Sequence, residues 1–190
     1  MREMLKSALF LKLFVLGFIV LAVGCGGKNV IQLDYQPAGV NLAPCARSLS
    51  LVKLSDQRPQ EAIGQTHDGQ LFFSKTFVDE WVSSALYTEL QRAGCQVQYH
   101  EKEYDFDTDY TVTGQVLELY AKQVSLSEYN ATLRLKIDVK KDGKLVLGKN
   151  FVSNVNKTTV PSPGINSKVL TETLQTLMRE MVPEIRENLK

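Results

Sequence analysis

The chain reads as an α+β fold, with a mixed, mostly antiparallel sheet and two amphipathic helices packed on one of its faces. Three observations predict it. Residues 129–140 alternate strictly between apolar and polar, the pattern of an antiparallel strand with one wet face. Two segments, near 76–93 and 170–185, carry apolar residues at helical spacing. The first of these lies between short strand-like runs, which is how a β-α-β crossover reads in sequence.

Taken in order, Ile31, Leu33 and Tyr35 alternate with polar residues and predict a short strand stopped by Pro37. Residues 37–44 read as loop. A second strand spans Leu49–Leu54, and Asp56-Gln57-Arg58-Pro59 turns the chain. His67-Asp68-Gly69 favours a hairpin between Ile63–Thr66 and Gln70–Phe73. The first helix is expected from Thr76, with Thr76 and Asp79 as a weaker capping box. Phe77, Val78, Trp81, Val82, Ala85, Leu86, Leu90 and Ala93 form its apolar stripe, and Gly94 supplies a left-handed stop. Cys95 to His100 is a strand parallel to the one near Leu49, in a right-handed crossover.

Three strands in series follow. Tyr110–Tyr120 is the first. The second turns Tyr129, Ala131, Leu133, Leu135, Ile137 and Val139 inward. Lys141-Asp142-Gly143-Lys144 leads into the third, Leu145–Asn156. Pro161-Ser162-Pro163-Gly164 ends the sheet. The last helix sets Leu170, Leu174, Leu177, Met178, Met181 and Ile185 on one stripe, and Pro183 is expected to kink it or end it early.

The N-terminus has a different character. Arg2 and Lys6 precede an apolar run, Leu13 to Val23, which closes on Gly24-Cys25-Gly26-Gly27. The run is too short for a membrane span, which needs about 20 apolar residues, and Lys12 blocks its extension. Leu21-Ala22-Val23-Gly24-Cys25 resembles a lipobox, in which the Cys thiol takes diacylglycerol and the small residue before it marks the cleavage site. Residues 1–24 are therefore expected to be a lipoprotein signal peptide, cut between Gly24 and Cys25. Residues 25–30 are expected to be the lipidated Cys and a flexible tether, and residues 31–190 a single periplasmic domain. The expected partner at this end is the membrane, held by acyl chains on Cys25. Gly26 follows the acylated Cys. By resemblance to proteobacterial lipoproteins, the lack of Asp there implies transfer to the outer membrane, facing the periplasm.

The full chain carries a formal net charge of +1. Removing the signal leaves a near-neutral domain with no electrostatic footprint for nucleic acid. The chemistry-bearing residues are sparse. His67 falls in a predicted turn and His100 ends a strand, with no adjacent Ser or Cys nucleophile to suggest a triad. Asp105, Asp107 and Asp109 alternate, but the Gly and Glu of a calcium loop are replaced by Tyr110 and Val116. We therefore expect no metal, no cofactor and no catalytic site. Trp81 belongs to a core stripe. Of Phe72 and Phe73, one should point outward, a hint of a contact surface. Cys45 and Cys95, exported to an oxidising compartment and lying at the same end of two parallel strands, are the candidate disulfide.

Several short stretches resemble the YajG-type lipoproteins, small envelope proteins. They are Ile31-Gln32-Leu33-Asp34-Tyr35, Val52-Lys53-Leu54-Ser55-Asp56-Gln57-Arg58 followed by Ile63-Gly64, Leu90-Gln91-Arg92-Ala93-Gly94, and Asp109-Tyr110-Thr111-Val112-Thr113-Gly114. That resemblance implies an envelope lipoprotein and lends no catalytic residues. The absence of a site, the lipid anchor and a free sheet face lead us to expect a non-enzymatic, membrane-anchored protein that binds a protein or lipid partner in the periplasm. The strand-helix-strand layout is also similar to auxiliary lipoproteins of bacterial lipid-transport systems. That alternative implies an apolar ligand groove.

Overall fold

The computed structural model describes residues 29–37, 39, 45, 47–104 and 106–189. Gly24 and Cys25, and with them the signal peptide and acylation site, lie outside the described residues. The strands are β1 Asn29–Ile31, β2 Ser48–Val52, β3 Ser55–Asp56, β4 Gly64–Gln65, β5 Leu71–Ser74, β6 Gln96–His100, β7 Tyr110–Gln123, β8 Glu128–Lys141 and β9 Lys144–Thr158. The helices are α1 Val78–Arg92 and α2 Ile165–Glu187. Among the described residues no helix is long and apolar enough to cross a membrane.

Everything is organised on β7. One edge of it pairs with β8 in an antiparallel ladder from Tyr110↔Lys141 to Gln123↔Tyr129, with a bulge between Val116 and Glu118. β8 pairs in turn with β9 over its whole length. The other edge of β7 is shared by three short strands in sequence. β2 pairs with it at Tyr110–Val112, β3 at Gln115–Val116 and β4 at Ala121–Lys122, all parallel. β6 lies parallel to β2, which makes the expected crossover, and β5 folds back on β4 to carry β1. The sheet is therefore mixed and mostly antiparallel, with both helices on one face.

The alternation in β8 explains the core. Ala131, Leu133, Leu135, Ile137 and Val139 are fully buried, and so is the α2 stripe from Val169 to Ile185. Both belong to one continuous core with Trp81, Val82, Leu86 and Leu90 of α1. Asp142 and Gly143 both take positive φ in the turn between β8 and β9, as a tight two-residue hairpin requires.

Four expectations are corrected. Asn29 and Val30, assigned to the tether, already pair with Phe72 and Phe73. The strand predicted through Tyr35 leaves the sheet after Ile31, because its polar backbone finds other partners on α2, as described below. Helix α1 begins at Val78, with Phe77 as its N-terminal cap and no side-chain cap. Thr76 lies one residue before the cap, and its hydroxyl accepts instead from Gln32 Nε2 at 3.0 Å. Pro183 does not end α2 early. The proline removes one backbone bond, and the burial of Met181, Val182, Ile185 and Leu189 around it holds the last turn in place.

Candidate functional site

The two expected cysteines meet. The C-terminus of α1 closes with Gly94 at φ +80°, its amide donating to Gln91 O, while the Cys95 amide reaches back to Leu90 O. This left-handed stop aims Cys95 at the incoming chain before β2. There the Cys45 amide donates to Ala93 O, the Gln96 amide donates to Arg47 O, and a disulfide joins Cys45 to Cys95 with their Cα atoms 4.6 Å apart. The bond ties the start of β2 to the start of β6.

Just along the same pair of strands is an arrangement that the sequence conceals. Ser50 Oγ and His100 Nε2 share a hydrogen bond of 3.2 Å, and the Tyr104 hydroxyl meets His100 Nδ1 at 2.7 Å. The parallel register of β2 and β6 brings these distant residues together. The sequence places no serine near His100, and the fold brings one to it. Ser50 nevertheless has no accessible surface, and Thr108 Oγ1 occupies its other side at 2.9 Å. His100 stacks on Phe106, ring centroids 4.3 Å apart. A nucleophile needs an open approach and oxyanion donors on the substrate side. Here the pair fastens the loop after β6 onto the outer face of the sheet. His67 lies elsewhere, in the turn between β4 and β5. Among the described residues no three His, Cys, Asp or Glu side chains converge on a metal-sized site, and Asp105 lies outside them.

Lys53 sits between Asp79 at 3.5 Å and Glu101 at 3.7 Å. Burial opposes its charge, but the two carboxylates more than offset that and raise its pKa above the ordinary value. Burial likewise raises the pKa of nearby Tyr99. Trp81 is in the core, as its stripe predicted. Phe72 is fully buried, and Phe73 is half-buried beside Val30.

A concavity of about 840 Å³ runs between residues 31–36 and α2. Its floor is a ladder in which Ser167, Thr171 and Gln175 donate to the carbonyls of Gln32, Asp34 and Gln36. Four helical residues rise about 6 Å and two extended residues about 6.6 Å, so the two repeats stay in step. Most of the lining residues are polar, and Asp34, Lys168, Glu172 and Arg179 carry charge, while their stems and neighbours make the larger part of the exposed lining surface apolar.

Among the described residues the outer face of β7–β8–β9 is exposed along the length of the three strands. Arg134 is 3.3 Å from Glu118, Lys136 is 3.4 Å from Asp138, and Thr132 donates to Asn154 at 2.8 Å. Asn150, Val152, Asn154 and Asn156 extend the face along β9, whose far edge has no strand beside it among the described residues. It is a flat, polar, charge-balanced surface supported by a fully buried core.

No protein family matches this chain by sequence, and no curated protein does. Solved structures do match its fold. One is a Xanthomonas campestris protein of family DUF330, 12% identical, covering 84% of this chain and 96% of its own, with a TM-score of 0.62. Another is a hypothetical protein from Chlamydia trachomatis, 9% identical, covering 76% of this chain and 98% of its own, with a TM-score of 0.54. A lipoprotein from Neisseria meningitidis, 14% identical over 74% of this chain and 99% of its own, follows at a TM-score of 0.43. At such identities the first two define a shared α+β fold class, and the third is too distant to carry an argument.

Proposed function

We propose that the chain is a lipid-anchored envelope protein of YajG type, without enzymatic activity, whose domain binds a protein partner in the periplasm. The observation that carries this reading is the open face of β7–β8–β9, a flat polar platform on a rigid core. A broad exposed sheet face offers a seat for a protein partner, whereas small ligands need concave, mostly apolar sites. The lipid-transport alternative needs a groove free of charge, and Asp34, Lys168, Glu172 and Arg179 in the α2 groove count against it. The anchor is Cys25, cut from Gly24, and Gly26 favours the outer membrane facing the periplasm.

The test is site-specific photocrosslinking in living cells. A photoreactive residue at Lys136, Asn150 or Asn154 is expected to give a discrete adduct, and one at Glu180 on α2 is not. Adducts from Glu180 alone, or adducts that appear only after substrate turnover is detected, overturn the reading. Cys25→Ser is expected to abolish lipid labelling.

A further inference from the structure

The register of the sheet gathers several turns at one end. The turn after β7 holds residues 124–127. The Thr159 amide, just beyond β9, donates to Ser127 O at 2.8 Å, so the loop leading to α2 lies against that turn. Gln65 pairs with Lys122 and with Leu71, which brings the β4–β5 turn to the same end. β1 runs parallel to β5 and starts at Asn29↔Phe72, so the chain also enters the domain there. Ser167, in the first turn of α2, is bonded to Gln32 O and confirms the placement.

The two adjoining loops are unusual in composition. Gln123 to Ser127 and Thr158 to Ser167 contain no charged residue. Their aliphatic side chains point into solvent: Val124 is 56% exposed, Leu126 65% and Val160 79%. The opposite end of the sheet also shows Leu145 and Val146, but its turn is Lys140-Lys141-Asp142-Gly143-Lys144. Charges resist transfer to the acyl boundary and aliphatic groups favour it, so these two loops suit a lipid surface better than the Lys-rich turn does, with Asp68 of the β4–β5 turn kept at the headgroup level.

Chain length fixes which end meets the membrane. Only residues 26–28 separate Cys25 from Asn29, a reach on the order of 14 Å even when fully extended. An acylated Cys25 therefore holds the uncharged loops at the bilayer. We propose that this end docks on the membrane, with Val124, Leu126 and Val160 inserted at the headgroup–acyl boundary. The domain then stands upright, with the open face of β7–β8–β9 roughly perpendicular to the bilayer. The inference rests on the lipid-anchor reading above.

The test uses the mature, acylated protein in vesicles of phosphatidylethanolamine and phosphatidylglycerol. Single replacements Leu126→Cys, Val160→Cys and Val146→Cys are labelled with an environment-sensitive dye, while Cys45 and Cys95 stay in their disulfide. Lipids with spin-labelled acyl chains act as quenchers. Dyes at 126 and 160 are expected to be quenched several-fold more than the dye at 146. Equal quenching, or stronger quenching at 146, overturns the proposal. Metabolic lipid labelling of Cys25 is read in parallel. A labelled Cys25 with unquenched loops sinks only this inference, and an unlabelled Cys25 sinks the anchor reading and this inference together.

Discussion

The two edges of β7 are built in different ways. On one side, β8 and β9 continue the chain through short turns, are 14 and 15 residues long, and pair along almost their whole length. On the other side, β2, β3 and β4 contribute two to five residues each and reach β7 from distant parts of the sequence. The first side holds itself by a long ladder and a continuous apolar face. The second needs fasteners: the Cys45–Cys95 bond, the Ser50–His100 contact, and Ser83, whose Oγ accepts from the buried Leu54 amide and donates to Asp79 O. At Gly64 the backbone itself must come close. A Cβ there would lie 2.2 Å from Ala121 O and 2.1 Å from the Phe72 ring, so only glycine allows β4 to pair with β7 beneath that phenyl group. Local pairing makes a platform, and non-local pairing makes a wing that must be pinned to it.

The largest effect should come from the platform. Leu135→Ala removes a fully buried side chain from the centre of β8 and is expected to cost about 3–5 kcal/mol in denaturant unfolding. Both sides share one core, so the loss should appear as a single cooperative transition. Two separated transitions would split the molecule where we see one unit.

Next is the disulfide. Replacing Cys45 and Cys95 together by Ser opens a loop whose ends are 50 residues apart in sequence and should cost about 2–4 kcal/mol. The damage should be confined to β2 and β6, leaving amide protection in β8 relatively high. Ser83→Ala should cost about 1–3 kcal/mol, because the Leu54 amide loses its partner in a buried setting. Thermal or chemical melts of the purified domain check both. A Ser83→Ala protein as stable as its parent would mean that water or a shifted backbone replaces that bond.

The smallest effect is electrostatic. Burial works against the Asp56 carboxylate, but hydrogen bonds and charge from Arg58, at 2.8 Å, outweigh it and hold its pKa below the ordinary value. A depressed acid stabilises the fold above its unfolded pKa, about 3.9, and that contribution is lost as pH falls through the folded value. The stability gap between the parent and Asp56→Asn should therefore close on acidification below about pH 4. A gap that widens there would reverse the assignment.

The same contrast governs what the sequence could reveal. In β8 the period-two pattern marks each inward residue, and the turn at Asp142-Gly143 is written in two adjacent letters. Both helices are legible from their stripes, since helical periodicity is local. The wing is not. Ser50 is marked as outward by its leucine neighbours, yet nothing nearby says that His100 will lie beside it, because parallel register is set by contacts fifty residues away. Leu33 and Tyr35 carry strand-like alternation, but α2 supplied donors at a matching repeat and drew that segment off the sheet. Cys45 and Cys95 were accessible to reasoning because a β-α-β unit fixes which strand ends are neighbours.

Native-state hydrogen exchange, followed before and after reduction of the disulfide, tests the division into platform and wing most directly. Amides of Leu133, Leu135 and Ile137 should exchange only through global unfolding in both states. Those of Gln96, Gln98 and His100, which face β2 from the edge strand β6, should be protected when the disulfide is intact and should exchange through local opening once it is reduced. Equal loss of protection in β6 and β8 on reduction would contradict the account, and so would a β6 that reduction leaves untouched.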